Sequence, residues 1–448
     1  LWTSAKHARL VLDSGEELEL AAAGDGWVHR FVDTATPGTR YRYRIDDAGP
    51  YPDPASRFQP NGVHGESEVI DPRQFQWTDG GYAGVAHDAL VIYELHVGTF
   101  TAAGTYAAAT DKLAYLSDLG VTAIELMPVH DFAGNRNWGY DPAAFWAPSR
   151  AYGRPDELRA FIDAAHGHGI AVIVDVVYNH FGPDGAYVAA FGPYFHSQNR
   201  TPWGPSINLD GPSSAQVRRF FLDNALHWLD EYHADGLRLD ATFALIDKGE
   251  PHFLAELGAR VEELGGPTRH LIAEDHRNSA AIVRPRSEGG FGLDSQWSDD
   301  FHHVVRRIAT GDHHGYFADY PDTTTGLATI IENGWLRGDA TSDISPEQFV
   351  FYIQNHDQVG NRPSGARLHQ AISPSLYRAL SSLVVFCPQT PLLFMGQEWA
   401  TTRRFQYFTD HEYKLGRRVR EGRRREFGQF PGFHGVIPDP QEAATFAD

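Results

Sequence analysis

The chain has 448 residues, of which 42% are hydrophobic and 21% are charged, so it can bury a core larger than that of one ordinary domain. Its single cysteine excludes an intrachain disulfide. The net charge of -20 argues against nucleic acid and membranes as partners, because polyphosphates and anionic lipids would be repelled. The sequence has no run of about 18 apolar residues and no signal-peptide pattern, so we predict a cytoplasmic protein. Nothing in the sequence indicates its oligomeric state.

The first 86 residues differ in pattern from the rest of the chain. Hydrophobic and polar residues alternate along residues 9–12, 27–32 and 41–45, and Gly, Asp and Pro separate these stretches. Alternation with period 2 is typical of β-strands that bury one face. We therefore predict an N-terminal β-sandwich domain over residues 1–86.

From residue 87 onwards, strand-like and helix-like segments alternate. Short apolar strands are predicted at residues 90–94, 123–127, 171–176, 236–239, 270–273, 293–297, 349–353 and 391–394. Helices are predicted between them, and one has Leu158, Ile162 and Ala165 on a single apolar face. Apolar strands that alternate with such helices indicate a parallel sheet covered by helices, and eight repeats indicate a closed barrel. The predicted fold class is α/β, with a (β/α)8 TIM barrel over residues 87–448 that follows the N-terminal sandwich in the sequence.

Polar residues directly follow four of the predicted barrel strands. These segments are residues 175–180, 238–241, 274–277 and 355–357. The carboxyl ends of barrel strands meet at one rim, so we expect these side chains to converge there. Any one of them alone could be a helix cap, a turn residue or a structural histidine. Four sets at one rim are hard to explain by packing, because buried charges are costly unless they are paired or functional.

The residue types at this rim suit the cleavage of a glycosidic bond. Retaining glycosidases use one carboxylate as nucleophile and one carboxylic acid as proton donor, ~5–5.5 Å apart. Asp240 lies two residues after Arg238, on the same face of its strand, so the guanidinium can keep it ionised. Glu274 follows an apolar strand, and Asp357 is its expected negative neighbour; both features should raise its pKa. We therefore predict Asp240 as the nucleophile and Glu274 as the general acid/base.

A divalent metal site is the competing use of Asp, His and Asn side chains at a rim. The sequence contains no HExxH, CxxC or EF-hand spacing. We therefore predict that the protein needs neither a metal ion nor a cofactor.

The four rim segments resemble the signature regions of glycoside hydrolase family 13, the α-amylase family. In chain order, the matching motifs read DVVYNH, GLRLDA, AED and QNHDQVGN. The resemblance implies a retaining double displacement at α-glucosidic bonds, in which Asp240 is the nucleophile and Glu274 the acid/base. It also implies that Asp357 grips and distorts the sugar in subsite −1. The residues that it implies in substrate binding are Tyr140, His180, Arg238, Leu239, Ala241, Thr242, Phe243, His356, Gln358 and Asn361.

Further motifs are similar to those of family members that cleave the α-1,4 bond next to the terminal trehalose unit of maltooligosyltrehalose. They include YELHVGTF, NWGYDP, TPWGPSINLDGP, LIAEDHRN and DDFHH. The resemblance implies maltooligosyltrehalose and related α-glucans as substrates. We predict that the DDFHH segment supplies recognition of trehalose through Asp299, Asp300, His302 and His303.

Two other functions stay open. A glucan branching or debranching enzyme of the same family would share the barrel, the three carboxylates and the N-terminal carbohydrate-module-like domain. A non-catalytic glucan-binding protein on such a barrel would have lost a carboxylate, whereas Asp240, Glu274 and Asp357 are all present.

The chain departs from the family pattern at two places. The stretch between Asn179 and Asn208 is too short for the protruding calcium-binding domain of secreted α-amylases, so we expect neither that domain nor calcium. No counterpart of the family's C-terminal β-domain is recognisable after the last predicted strand.

Overall fold

The structure is a computed structural model that describes residues 1–427 and 436–447, apart from the side chain of Tyr316. The predicted unit over residues 87–448 therefore includes residues 428–435 and 448, which lie outside the described part. Within the described ranges, no helix combines the length and the hydrophobicity that a membrane crossing requires.

The N-terminal strands form two antiparallel sheets. Their bounds are β1 (Ala8–Leu12), β2 (Glu17–Glu19), β3 (Ala21–Gly24), β4 (Trp27–His29), β5 (Arg40–Ile45), β6 (Ala48–Tyr51) and β7 (Ser67–Glu68). One sheet has the order β2, β1, β5, β6 with β7 also paired to β5, and the other consists of β3 and β4. The predicted strands at residues 9–12 and 41–45 are confirmed. The one predicted at 27–32 ends at His29, because its partner β3 begins opposite this residue. The domain boundary at residue 86 stays a prediction.

The chain continues through strands that build a barrel and two hairpins. Their bounds are β8 (Ile92–Leu95), β9 (Ala123–Leu126), β10 (His130–Phe132), β11 (Pro142–Pro148), β12 (Ala171–Val176), β13 (Phe195–Thr201), β14 (Gly204–Ile207), β15 (Gly236–Leu239), β16 (His270–Ala273), β17 (Ser295–Trp297), β18 (Phe349–Phe351) and β19 (Thr390–Phe394). Strands β8, β9, β12, β15, β16, β17, β18 and β19 close into a barrel of parallel neighbours. All eight predicted barrel strands are confirmed, and the (β/α)8 fold class with them.

Helices connect the strands. Their bounds are α1 (Val97–Phe100), α2 (Tyr106–Thr110), α3 (Leu113–Leu119), α4 (Pro155–Gly167), α5 (Ser214–Leu226), α6 (Phe253–Leu264), α7 (Asp299–Thr310), α8 (Thr324–Asn333), α9 (His356–Gly360), α10 (Pro374–Phe386), α11 (Tyr413–Phe427) and α12 (Ala443–Ala447). The predicted helix α4 is confirmed, and its apolar face is buried. It begins at Pro155, whose missing N–H suits a first turn, and a left-handed Gly169 follows its end.

Alternate strand residues fill the barrel interior in layers. Towards the amino ends of the strands, the interior is apolar and includes Ile92, Ala123, Ala171, Ile173, Ile272, Val350 and Leu392. Towards the carboxyl ends, the inward positions are taken by Glu94, Glu125, Asp175 and Arg238, all of them buried. Buried ionisable groups are costly unless they serve each other or a site, so this layer places the site at the carboxyl rim.

Candidate active site

Arg238 and Asp240 lie two residues apart at the carboxyl end of β15. Nη1 of Arg238 donates to Oδ1 of Asp240 at 2.8 Å, and Nδ2 of Asn179 donates to Oδ2 of Asp240 at 2.8 Å. Arg238 is buried, and its guanidinium lies 4.4 Å from the ring centroid of Trp297. Two donors, one on β15 and one in the turn that follows β12, thus bind both oxygens of the Asp240 carboxylate.

Glu274 lies at the carboxyl end of the neighbouring strand, β16. Its Oε2 is 3.1 Å from Nη2 of Arg238 and accepts the backbone N–H of Ala241 at 2.8 Å. Ala241 is left-handed, with φ 43°, and this bend directs its N–H to Glu274. One guanidinium therefore contacts two carboxyl groups, Asp240 through one terminal nitrogen and Glu274 through the other.

The surroundings of Glu274 favour its protonated form. Burial raises the pKa of Glu274 to about 8. Arg238 opposes the rise, whereas the carboxylates of Asp240, Asp299 and Asp357 add to it. A carboxylic acid that keeps its proton near neutral pH can protonate a leaving group. Glu274 therefore has the electrostatics of a general acid.

A buried network lies under these two residues. Asp175 accepts from Nη1 of Arg238 at 3.0 Å and from the hydroxyl of Tyr140 at 2.6 Å. The Tyr140 ring stacks on His356, with 5.1 Å between the centroids. His356 is paired with Glu94 through its ring Nδ1 and its backbone N–H. Burial alone would lower the pKa of His356, but Glu94 raises it overall. The network fixes the positions of Tyr140 and His356 relative to Arg238.

Asp357 is the third carboxylate at the rim and lies in the first turn of α9. Its Oδ1 accepts from Nδ2 of Asn361 at 2.6 Å. Burial raises the pKa of Asp357; His356 opposes this effect, whereas Asp299 adds to it. The Asp357 carboxylate is also among the negative neighbours that raise the pKa of Glu274. The structure thus brings the three predicted carboxylates together.

An aromatic wall borders the site. Trp203, between β13 and β14, is 47% exposed and stacks on His180, with 5.2 Å between the centroids and 9° between the planes. Phe243 lies 6.1 Å from Trp203 and 4.1 Å from His276. Nε2 of His180 is 2.9 Å from the backbone oxygen of Tyr140, so the ring that supports Trp203 is itself fixed. Trp203 was not among the predicted site residues, although it lies within the motif TPWGPSINLDGP.

Proteins of known family match this chain over nearly its whole length. Residues 69–200 match the family model of the alpha-amylase catalytic domain. The malto-oligosyltrehalose trehalohydrolase of Deinococcus radiodurans is 46% identical over 462 aligned positions, which cover 100% of this chain and 75% of that protein. The enzyme of the same name from Saccharolobus solfataricus is 42% identical, over 96% of this chain and 77% of that protein. The chain belongs to the malto-oligosyltrehalose trehalohydrolase family.

A solved structure is similar over the whole chain. It is a crystal structure from Salmonella typhimurium, provisionally described as an alpha amylase, with a TM-score of 0.94 and 41% identity. The match covers 100% of this chain and 78% of that one. Membership of the trehalohydrolase family confirms the resemblance to the α-amylase family that the rim motifs indicated.

Two of the residues predicted to recognise trehalose have different surroundings. Asp299 lies among the rim carboxylates and accepts from the hydroxyl of Tyr352 at 2.5 Å and from Nε2 of Gln358 at 3.2 Å. Asp300 instead is buried, and its carboxylate accepts from Tyr320, Asn278 and backbone N–H groups. Of the two aspartates, Asp299 is therefore the one that shares the charge cluster of this trehalohydrolase site.

The structure gives Asp300 a structural task, which corrects its predicted role. Its Oδ1 accepts from the hydroxyl of Tyr320 at 2.9 Å. Its Oδ2 accepts from Nδ2 of Asn278 at 3.2 Å and from the backbone N–H groups of Leu336 and Arg337 at 2.6 Å and 3.4 Å. Asp300 is buried, and these four donors tie its carboxylate to the segments that pack around α7, which leaves it a structural role.

The histidines of the DDFHH segment are also part of the packing. His302 is buried, and its Nδ1 is 2.8 Å from the backbone oxygen of Ile353. His303 is buried against the ring of Tyr320, with 4.7 Å between the centroids. The predicted contact of these two histidines with trehalose therefore conflicts with their position in α7, where both face inward.

Two residues of the GLRLDA motif and its flank support the site without facing it. Leu239 is buried in the apolar layer outside the barrel, because strand alternation turns it away from the side that Arg238 occupies. The hydroxyl of Thr242 lies 3.0 Å from the backbone oxygen of Glu274 and 2.9 Å from Oδ2 of Asp275. Both were predicted to bind substrate; the structure corrects this to core packing for Leu239 and to a link between the ends of β15 and β16 for Thr242.

The rim carboxylates are held by nitrogen donors. Arg238 and Asn179 bind Asp240, and Asn361 binds Asp357. Across residues 1–427 and 436–447, no group of three or more His, Cys, Asp or Glu side chains could hold a metal ion. The absence of a metal and of a cofactor stays a prediction.

Proposed function

We propose that this protein hydrolyses the α-1,4 bond next to the terminal trehalose unit of maltooligosyltrehalose, releases trehalose and retains the anomeric configuration. The relatives that share its family are named for this activity. The observation that supports the residue roles is the guanidinium of Arg238, which contacts both Asp240 and Glu274. Contact with one guanidinium places the two carboxyl groups near each other, which supports the short separation that a retaining mechanism needs.

In the first step, Asp240 attacks the anomeric carbon of the glucose in subsite −1 while Glu274 gives its proton to the glycosidic oxygen. The α-1,4 bond breaks, an ester forms on Asp240, and trehalose leaves as an alcohol. The raised pKa of Glu274, about 8, keeps the required proton in place near neutral pH. In this step Asp240 becomes a neutral ester and Glu274 becomes a carboxylate. Arg238 contacts both residues, so it stabilises the negative charge before and after the step.

In the second step, the Glu274 carboxylate takes a proton from a water molecule that attacks the ester. The bond between Asp240 and the anomeric carbon breaks, and the maltooligosaccharide leaves with its original α configuration, because the carbon has been inverted twice. Glu274 is protonated again and ready for the next substrate. The same two side chains therefore serve both half-reactions.

The surrounding residues hold the substrate in this proposal. Asp357, Tyr140 and His356 grip the glucose in subsite −1, and the network under Arg238 keeps them in register with Asp240. A further glucose ring stacks on the exposed face of Trp203, because contact with an aromatic ring buries a large apolar area. Asp299 is the acceptor of the DDFHH segment that remains for the hydroxyl groups of trehalose.

A product analysis tests the proposal. The protein is incubated with maltooligosyltrehalose and, separately, with maltopentaose, and products are identified by chromatography and by proton NMR of the anomeric signals. We expect trehalose as the released disaccharide and the α anomer as the first form of the new reducing end. A β anomer as the first product would contradict the role of Asp240 as nucleophile. Equal rates on both substrates would contradict recognition of the trehalose end.

The alternatives have their own signatures. A branching enzyme would create α-1,6 bonds in amylose, a debranching enzyme would cleave them in pullulan, and a non-catalytic protein would bind glucans without releasing products.

The cytoplasmic location and the lack of nucleic-acid and membrane partners remain predictions from the sequence, as does the division into residues 1–86 and 87–448.

A further inference from the structure

Arg423, on helix α11, reaches the helix that bears Asp357. Its Nη2 donates to the backbone oxygen of Gly360 at 2.9 Å, and its Nη1 donates to Oδ1 of Asn361 at 3.0 Å. Gly360 ends α9, and Asn361 directly follows it. A cation that binds the last carbonyl groups of a helix also interacts favourably with the negative end of its dipole. Arg423 thus holds the carboxyl end of the short helix that begins with His356 and Asp357.

The contact with Arg423 determines how the amide of Asn361 is oriented. A guanidinium can only donate hydrogen bonds, so the amide oxygen of Asn361 must face Arg423 and its NH2 group must point away. On that other side, Nδ2 of Asn361 donates to Oδ1 of Asp357 at 2.6 Å. With the opposite orientation, Asn361 would present its oxygen to a carboxylate. The contact with Arg423 therefore ensures that the NH2 group of Asn361, a hydrogen-bond donor, faces the carboxylate of Asp357.

The guanidinium itself is held in place. The rings of Tyr407 and Phe427 lie 4.7 Å and 4.3 Å from its central carbon. Burial lowers the pKa of Arg423, whereas Glu426 and Asp357 are among the groups that oppose this effect. Helix α9 has only five residues, and so short a helix depends on contacts with its surroundings for its position.

We propose that Arg423 is a positioning residue for the reaction, which orients the carboxylate of Asp357 through Asn361. The inference rests on the proposed role of Asp357 in subsite −1. Arg423 acts through Asn361 and not through the substrate. Helix α11 then belongs to the site, although it lies beyond the last barrel strand and far from the four rim motifs in the sequence.

The test replaces Arg423 and follows both rate and pH dependence. Arg423→Met removes the donors and keeps most of the apolar stem. We expect kcat/KM for maltooligosyltrehalose to fall roughly 10- to 100-fold, as for a lost hydrogen bond to a charged group. The acid limb of the kcat/KM profile should move to higher pH, because Asp357 loses a donor that favours its ionised form. The matched control is Arg424→Met, an exposed arginine on the same helix, which should keep the wild-type rate and profile.

A double-mutant cycle tests whether Arg423 acts on Asp357 through Asn361. Asn361→Leu should move the acid limb in the same direction, and Arg423→Met combined with Asn361→Leu should lose no more than Asn361→Leu alone. If Arg423→Met does not fold, Arg423→Lys replaces it, because a compact ammonium group does not reproduce the two separate nitrogens of the guanidinium fork. Fully additive losses, or a lower thermal midpoint with an unmoved acid limb, would overturn the inference.

Asp357→Asn separates this inference from the proposed function. A large loss of turnover in that variant, together with an unchanged pH profile in Arg423→Met, would refute the role of Arg423 alone. Wild-type turnover in Asp357→Asn would refute the role of Asp357 itself.

Discussion

The two ends of the barrel contain polar clusters that are built from similar residue types but are balanced differently. At the amino end of the strands, His166 lies 2.9 Å from Asp79 on one side and 2.9 Å from Asp235 on the other. His233 contacts Asp79 at 2.8 Å, and Asp235 also accepts the backbone N–H of Val172. Two carboxylates thus meet two imidazoles. At the carboxyl end, several carboxylates surround one guanidinium.

The pKa shifts follow this balance. Burial alone would raise the pKa of Asp79, but hydrogen bonds from His233 and His166 lower it overall. At the other end, burial and neighbouring carboxylates raise the pKa of Glu274 to about 8. At the amino end each carboxylate is bound by an imidazole, whereas at the carboxyl end the excess of carboxylates favours a proton on Glu274 that can be transferred. Charge balance, more than residue type, therefore distinguishes a structural cluster from a candidate catalytic one.

The largest effect is expected for Asp240→Asn. Turnover of maltooligosyltrehalose should fall by several orders of magnitude, because an amide cannot form the covalent glycosyl ester. Circular dichroism and the thermal midpoint should stay close to those of the wild type, since the amide is isosteric. The matched change at the other end, Asp235→Asn, should keep the turnover of the folded protein. A tenth of wild-type turnover in Asp240→Asn would remove the assignment of the nucleophile.

A smaller loss, roughly 10²- to 10⁴-fold, is expected for Glu274→Gln on the natural substrate. The variant cannot protonate the leaving oxygen, so the loss should shrink on activated aryl glycosides whose leaving groups need no proton. Steady-state kinetics on both substrates measure the difference. Equal losses on the two would show that Glu274 is not the acid.

The pH profile provides a third comparison. As a general acid, Glu274 must be protonated, so kcat/KM should be high below its raised pKa of about 8 and fall tenfold per pH unit above it. Asp299 is one of the carboxylates that raise this pKa. Asp299→Asn should therefore move the alkaline limb to lower pH. An alkaline limb that stays in place would mean that another group controls it.

At the amino end, the expected effect is on stability. Asp235→Asn should lower the free energy of unfolding by about 1.5–3 kcal/mol, because it removes a hydrogen bond between charged groups. Burial alone would lower the pKa of His166, but Asp235 and Asp79 raise it overall. The stabilisation is therefore complete below the unfolded pKa of about 6.5 and is lost as the pH rises through the folded value. Denaturant unfolding at several pH values should show this decline in the wild type and a weaker one in the variant.

Much of the fold and the three carboxylates were predictable because their signals are local. Each barrel strand is a short apolar run, and Arg238 and Asp240 are two residues apart on one strand, where period 2 places them on the same side. The same local rule could not place Asp300. Its orientation depends on donors from Asn278, Tyr320 and the 334–337 segment, which lie elsewhere in the sequence.

Residues that join the site through long-range contacts escaped the sequence analysis. Trp203 matters because a hairpin folds back over His180, and Arg423 because it binds Asn361 across 62 positions of sequence. Neither pairing leaves a periodic pattern in the chain. Leu239 was wrongly included among the substrate-binding residues. It lies within a recognisable motif, yet its side chain points out of the barrel and packs in the outer apolar layer.

The smallest effect is expected for the removal of metal ions. A surplus of carboxylates can be compensated by a divalent ion, by a guanidinium or by a proton. Here Arg238 contacts Asp240 and Glu274, and the pKa of about 8 leaves Glu274 protonated near neutral pH, so a guanidinium and a proton offset the charge of these two groups. Dialysis against EDTA should therefore leave kcat and the thermal midpoint unchanged. A loss that calcium restores would show that part of the charge is balanced by a bound ion, and the contrast between the two barrel ends would then rest on that ion.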